Sequence, residues 1–139
     1  MDTKRLFDKG VIDQIAKKGS SEKKTQDKPI TFDTSEYKYM GYMNLLRGKL
    51  EGSGCWVYPP DAAAQGIYGD LRIRFTIKKN GQLGAVQVIR TSGYKSLDEA
   101  ALNALKDCGP YWPLPNEWGM EAYTIEGHFI YSLYGPYVR

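Results

Sequence analysis

The chain has 139 residues, a length that fits one domain with a short extension. Hydrophobic residues make up 42% and charged residues 25%, and the mean hydropathy is −0.50. That is enough for a core, yet no run approaches the roughly 18 apolar residues of a membrane helix. The formal charge of +3, from 19 basic against 16 acidic residues, is too small to argue for a nucleic-acid partner.

The first residues, MDTKRLFDKG, lack the apolar stretch of about 7–15 residues that a secretory leader needs, so none is expected. Two cysteines, Cys55 and Cys108, cannot build a disulfide scaffold; one bridge or two free buried thiols are the alternatives. The single histidine, His128, removes most metal sites and catalytic triads. No phosphate-binding glycine loop, HExxH or GxSxG occurs, and the adjacent pair Asp98-Glu99 suits a helix start. The expectation is a protein that is not an enzyme, without cofactor or metal.

Two zones differ in composition. Residues 1–36 hold eight basic and seven acidic residues but two aromatics, Phe7 and Phe32. Residues 37–139 hold the other sixteen aromatics. The stretch GSSEKKTQDKP (19–29) has no apolar residue to offset its ordering entropy. Residues 1–36 therefore read as a flexible charged linker segment, with a marginal amphipathic turn at 6–15, and 37–139 as the folded domain.

In chain order, 37–50 is expected to be a helix. Tyr39, Tyr42, Met43, Leu46 and Leu50 form one apolar stripe, Thr34 or Ser35 is placed to cap it, and Gly52-Ser53-Gly54 ends it. Pro59-Pro60 forbids a regular element through that pair. Residues 67–78 alternate strictly: Ile67, Leu71, Ile73, Phe75 and Ile77 on one face, Tyr68, Asp70, Arg72, Arg74, Thr76 and Lys78 on the other. Asn80-Gly81 is a hairpin signal, and 83–90 is the return strand, with a bulge at Gly84-Ala85. A second helix is expected over 97–108, started by the capping box Ser96-x-x-Glu99 and stopped by Gly109-Pro110. Residues 110–115 form a stiff aromatic loop.

The last strand is expected over 122–134, with Tyr123, Ile125, Phe129, Tyr131 and Leu133 inward and Thr124, Glu126, His128, Ile130 and Ser132 outward. Gly135-Pro136 should terminate it. The expected fold is α+β: a two-layer sandwich, three antiparallel strands in the order second–first–third, both helices on one face, and the last strand at the edge.

Several motifs in this order resemble the C-terminal domain of the TonB family of energy transducers over about 37–134. They are Tyr58-Pro59; Ala62-Ala63-Ala64 and Gly66; Gly69-x-Leu71-x-Ile73-x-Phe75-x-Ile77; Asn80-Gly81; Arg90-Thr91-Ser92-Gly93; Leu97-Asp98-x-Ala100-Ala101; Trp112-Pro113-x-Pro115; and Phe129 in the last strand. The resemblance implies a periplasmic domain of a protein anchored in the inner membrane. That protein couples the ExbB–ExbD proton-driven motor to transport of iron siderophores, cobalamin or other solutes. Its partner would be the TonB box peptide of an outer-membrane TonB-dependent receptor, gripped by strand addition. The membrane helix and spacer of that family have no counterpart in these residues, so the chain is expected to be part of a longer protein.

Main-chain groups on an exposed strand edge template such pairing, and Tyr123, Thr124, Ile125, Glu126, Gly127, His128, Phe129, Ile130 and Tyr131 are the candidate partner-binding residues. Tyr58 and Pro59 join them, as a partner contact or as a stiff corner. The same edge is open to a second copy, giving a homodimer. The glutamines that family members carry before Tyr-Pro are replaced here by Cys55, Trp56 and Val57. A glutamine-specific contact therefore does not carry over. Arg72 and Arg74 form a solubilising face or meet a carboxylate or lipid headgroup. The alternatives in function are a TolA-like envelope interaction domain and an aromatic-lined glycan binder.

Overall fold

A computed structural model describes residues 26–139. The expected turn at 6–15 lies outside them. The elements are β1 (Ile30–Thr31), α1 (Tyr37–Gly52), the one-turn α2 (Pro60–Ala64), β2 (Gly69–Lys78), β3 (Leu83–Arg90), α3 (Lys95–Asp107), a 3-10 turn (Asn116–Trp118), β4 (Ala122–Ser132) and β5 (Gly135–Val138). Among these no helix is long and apolar enough to cross a membrane.

The period-2 pattern that defines β2 is realised residue by residue: Leu71, Ile73, Phe75 and Ile77 are buried and the intervening positions are not. β2 lies between β3 and β4 and is antiparallel to both. Two register breaks interrupt the β2–β3 ladder. One falls between Phe75 and Ile77, where Gly84 packs over Thr76; the other leaves Ile89 unmatched.

The sheet departs from the three-stranded expectation in its far half. It has five strands and is mixed. β1 pairs parallel to β4 (Ile30 opposite Ile125, Thr31 opposite Glu126), and β5 pairs antiparallel to it (Phe129 opposite Val138, Ser132 opposite Gly135). Gly135-Pro136 thus does not end the chain's pairing. Leu133 and Tyr134 form a two-residue turn, Gly135 takes the positive φ of 110° on its far side, and Pro136 is tolerated on an edge strand. Leu133, expected to face inward, sits in that turn and is 73% exposed. The folded unit also begins before residue 37, because Ile30 and Phe32 are buried.

α1 and α3 cover one face. Tyr42, Met43, Leu46 and Leu50 from α1 and Leu97, Ala101, Ala104 and Leu105 from α3 share a core with the inward residues of β2 and β4. Each large side chain fully buried there is worth about 1.5–3 kcal/mol. The small face of α3 lets the helix sit close to the sheet. Two expected caps do not form. α1 starts behind Glu36 with no side-chain cap, and the Thr34 hydroxyl accepts from the Glu36 amide in the preceding turn. α3 starts at Lys95, so Ser96 already lies inside it. Instead the Asp98 carboxylate accepts from the Ser92 amide (3.0 Å) and hydroxyl (2.7 Å) and from the Thr91 hydroxyl. Burial opposes that carboxylate's charge, but these hydrogen bonds outweigh it and lower its pKa.

A disulfide joins Cys55 to Cys108, with Cα atoms 5.4 Å apart, and ties the segment after α1 to the end of α3. Gly81 adopts φ 91° where the backbone of Tyr111 closes in; a Cβ there would stand 2.2 Å from the Tyr111 carbonyl oxygen. The 110–115 loop is held by this contact, by the Tyr111 amide donating to Gly81, and by the Tyr42 hydroxyl donating to the Trp112 carbonyl.

Candidate peptide-docking edge

The outer side of β4 is where the sequence places strand addition. β4 is not an edge strand: two segments of the same chain, 26–32 and 135–139, occupy that side. At one end Pro29 precedes β1 and has no amide to give. The Gln26 side chain fills the gap: its Oε1 accepts from the Thr124 amide and its Nε2 donates to the Thr124 carbonyl, both at 2.8 Å. A side-chain amide thus completes the ladder as a peptide group would. β1 follows at Ile125 and Glu126. From His128 on, the chain's last residues take over: His128 and Arg139 exchange both backbone hydrogen bonds (2.8 and 2.9 Å), and β5 continues to Ser132.

The two covering segments meet at Gly127. A Cβ on this residue would stand 2.6 Å from the Phe129 ring of β4 itself, 2.9 Å from the Phe32 ring and 3.1 Å from Val138. The missing side chain is the space in which Phe32 and Val138 pack. α1 holds both segments from behind. The Arg47 guanidinium donates to the Phe32 carbonyl (2.8 Å), and one turn later the Glu51 carboxylate accepts from the Val138 amide (2.8 Å).

The candidate residues therefore divide. Thr124, Glu126, His128 and Ile130 lie on the half-exposed face away from the helices; Tyr123, Ile125, Phe129 and Tyr131 are buried beneath it. Tyr58 and Pro59 do not lie on the outer side of β4. The Tyr58 ring packs edge-to-face on Tyr131 at 5.1 Å, its hydroxyl donates to the Ile67 carbonyl, and Pro59 precedes α2. Trp56 is buried, with its indole donating to the Tyr131 hydroxyl (2.9 Å); Trp112 is 40% exposed.

His128 is not simply solvated. Its Nε2 lies 2.5 Å from the Asp70 carboxylate, which also takes Arg90 at 2.7 Å. The His128 hydrogen bond, and then Arg90, lower the Asp70 pKa against a smaller opposing effect of burial. Among the described residues no group of three or more His, Cys, Asp or Glu side chains could hold a metal ion.

Gln26, β1, β5, Arg47 and Glu51 carry no sequence signal of their own for this role. Gly127 does: it interrupts the inward alternation of β4, and a glycine inside a strand marks a close approach.

The chain is thus a small α+β domain with one long regular strand whose outer side is covered by short pieces of its own chain. The sequence profile of the Gram-negative bacterial TonB protein C-terminal family matches residues 56–133, more than half of the chain. The chain belongs to that family. Protein TonB of Helicobacter pylori, from strain J99 / ATCC 700824 and from strain ATCC 700392 / 26695, is in each case 33% identical over 60 residues. That match covers 43% of this chain and 21% of the relative, so the chain matches about a fifth of the curated relatives' length. The NMR solution structure of H. pylori TonB-CTD (residues 179–285) is 26% identical with a TM-score of 0.56, covering 67% of this chain and 81% of that one. The structure of residues 194–285 gives 26% identity and a TM-score of 0.54, with coverage of 66% and 94%.

Proposed function

We propose that this domain captures an extended peptide of an outer-membrane transporter, the TonB box, by strand addition along the outer side of β4. It would act in the periplasm as the receptor-facing end of a TonB energy transducer, anchored in the inner membrane and driven by ExbB–ExbD. Siderophore uptake is the expected class of transport.

One observation carries the choice of edge. β3, the other rim of the sheet, is broken twice in eight residues, and bulges blunt an edge against pairing. β4 keeps unbroken register with β2 over ten pairs, and its outer side is held by two- and four-residue strands. A longer peptide would replace the main-chain pairing of these short strands, while Ile30, Phe32 and Val138 would leave the core. β1 already pairs there in parallel sense, which supports a parallel strand at this edge. Capture in this reading releases β1, β5 or both. A homodimer through the same edge needs the same release.

The test is binding of a transporter N-terminal peptide to the full chain, measured by fluorescence anisotropy. Two further peptides are N-methylated at alternate backbone amides, in complementary sets. Strand addition predicts that one set abolishes binding and the other leaves it nearly unchanged, because alternate amides face the sheet. Equal binding of both sets contradicts it.

A further inference from the structure

The face of the sheet turned away from the helices is not covered by any described element, and its charge is sorted. Of the five arginines among the described residues, four lie on it: Arg72 and Arg74 on β2, Arg90 on β3, and Arg139 opposite His128. The fifth, Arg47, is turned to the Phe32 carbonyl on the helix side. Lys78 and His128 share the open face. Two carboxylates answer them. Glu126 takes Arg74 at 2.9 Å and Arg72 at 3.6 Å; Asp70 takes Arg90 and His128. Four arginines and Lys78 thus face two carboxylates, which leaves positive charge in excess. Arg72 and Arg74 are each 42% exposed, and Arg90 is 54% exposed.

We propose that this arginine face is a second interaction surface, distinct from the strand edge, and that it receives an acidic segment of a partner polypeptide. Arginine presents a planar fork of donors that fits carboxylates. Glu126 and Asp70 show those forks already engaged with carboxylates on the same surface. Alternate side chains of a strand stand about 7 Å apart, so Arg72 and Arg74 match carboxylates spaced two residues apart on an extended chain. The chain itself does not supply the occupant: residues 1–25 carry seven basic against four acidic residues, the wrong sign for this face. A second copy presenting the same face is repelled. A lipid surface fits less well. Membrane-surface binding combines cations with several inserted apolar side chains; here Ile130 and Tyr137 are half-buried, and beside Arg90 only Ile89 is exposed.

The test titrates the isotopically labelled full chain with a hexaglutamate peptide and, separately, with phosphatidylglycerol vesicles, following backbone and guanidinium NMR signals. The expected result is saturable, salt-sensitive shifts at Arg72, Arg74 and Arg90, with Lys95 and Lys106 on α3 unmoved. Arg72→Gln with Arg74→Gln should weaken peptide binding at least tenfold. Because that pair also leaves Glu126 without its partners, Gln87→Glu is the second variant. Gln87 is exposed and stands opposite Arg74, so an added carboxylate there should weaken binding several-fold without removing a contact. Shifts spread over all lysines and arginines, no shifts, or binding to vesicles alone would overturn the proposal.

Discussion

Phe32 occupies the space that Gly127 leaves. The ring edge stands 2.9 Å from where a Cβ on Gly127 would be, closer than side chains tolerate, with the Phe129 ring at 2.6 Å and Val138 at 3.1 Å. A single hydrogen in place of a methyl group thus seats the two segments that cover β4.

Gly127→Ala should therefore push on Phe129 first and unseat Phe32, Val138 or both with it. Overpacking of this kind costs about 1–3 kcal/mol. Thermal unfolding should show the loss, and amide exchange should quicken at Ile30, Phe32 and Val138 more than at β2. An unchanged melt with unchanged exchange would mean the pocket relaxes freely.

Arg47 and Glu51 form a latch on α1, each holding one covering segment through a backbone group. Arg47→Met should release the 26–32 segment and Glu51→Ala the β5 segment, each at a cost of about 1–3 kcal/mol, as expected for a hydrogen bond to a charged group. If the covering segments compete with peptide, both variants bind transporter peptide more tightly than the parent chain while unfolding at lower temperature. Tighter binding without lower stability, or the reverse, would separate the latch from the competition.

Much of this fold can be read from the sequence, and the reasons differ by element. β2 and β3 announce themselves, because strict alternation and Asn80-Gly81 leave few alternatives. α1 and α3 follow from apolar spacing. The ends fail for local reasons. Ser96 resembles a cap, but Asp98 takes over the turn through Ser92 and Thr91. Gly135-Pro136 resembles a stop and is the far side of a two-residue hairpin turn. β1 is two residues long inside a charged stretch, and its stability comes from Gly127 and Arg47, 97 and 16 positions away from Ile30 and Thr31 respectively. No local pattern encodes that. The candidate site was legible as a strand but not as an occupied one.

The disulfide closes a loop with a sequence separation of 53. Chain-entropy arguments give about 4 kcal/mol for a loop of this size. Denaturant unfolding with and without reductant should show a difference of that order and a shared native spectrum. A native fold lost on reduction would mean the bridge holds α1 to α3 more strongly than loop entropy alone.

Asp70 carries the acid dependence of the open face. His128 and then Arg90 hold its pKa below the ordinary carboxylate value of 3.8. A folded value lowered in this way stabilises the protein fully above the unfolded pKa. The stabilisation is lost as pH falls through the folded value. Asp70→Asn should lower stability at neutral pH and flatten the decline below about pH 4. A parallel decline in both proteins would assign the acid limb to Asp98 instead.

The central claim is that peptide pairs with the outer side of β4 in place of the chain's own segments. Amide hydrogen exchange of the full chain, with and without saturating transporter peptide, tests it most directly. The account predicts sustained protection at Thr124, Glu126 and His128, with lost protection at Ile30, Phe32, Val138 or Arg139. Bound peptide that leaves β1 and β5 protected, or that protects β3 instead, would contradict it.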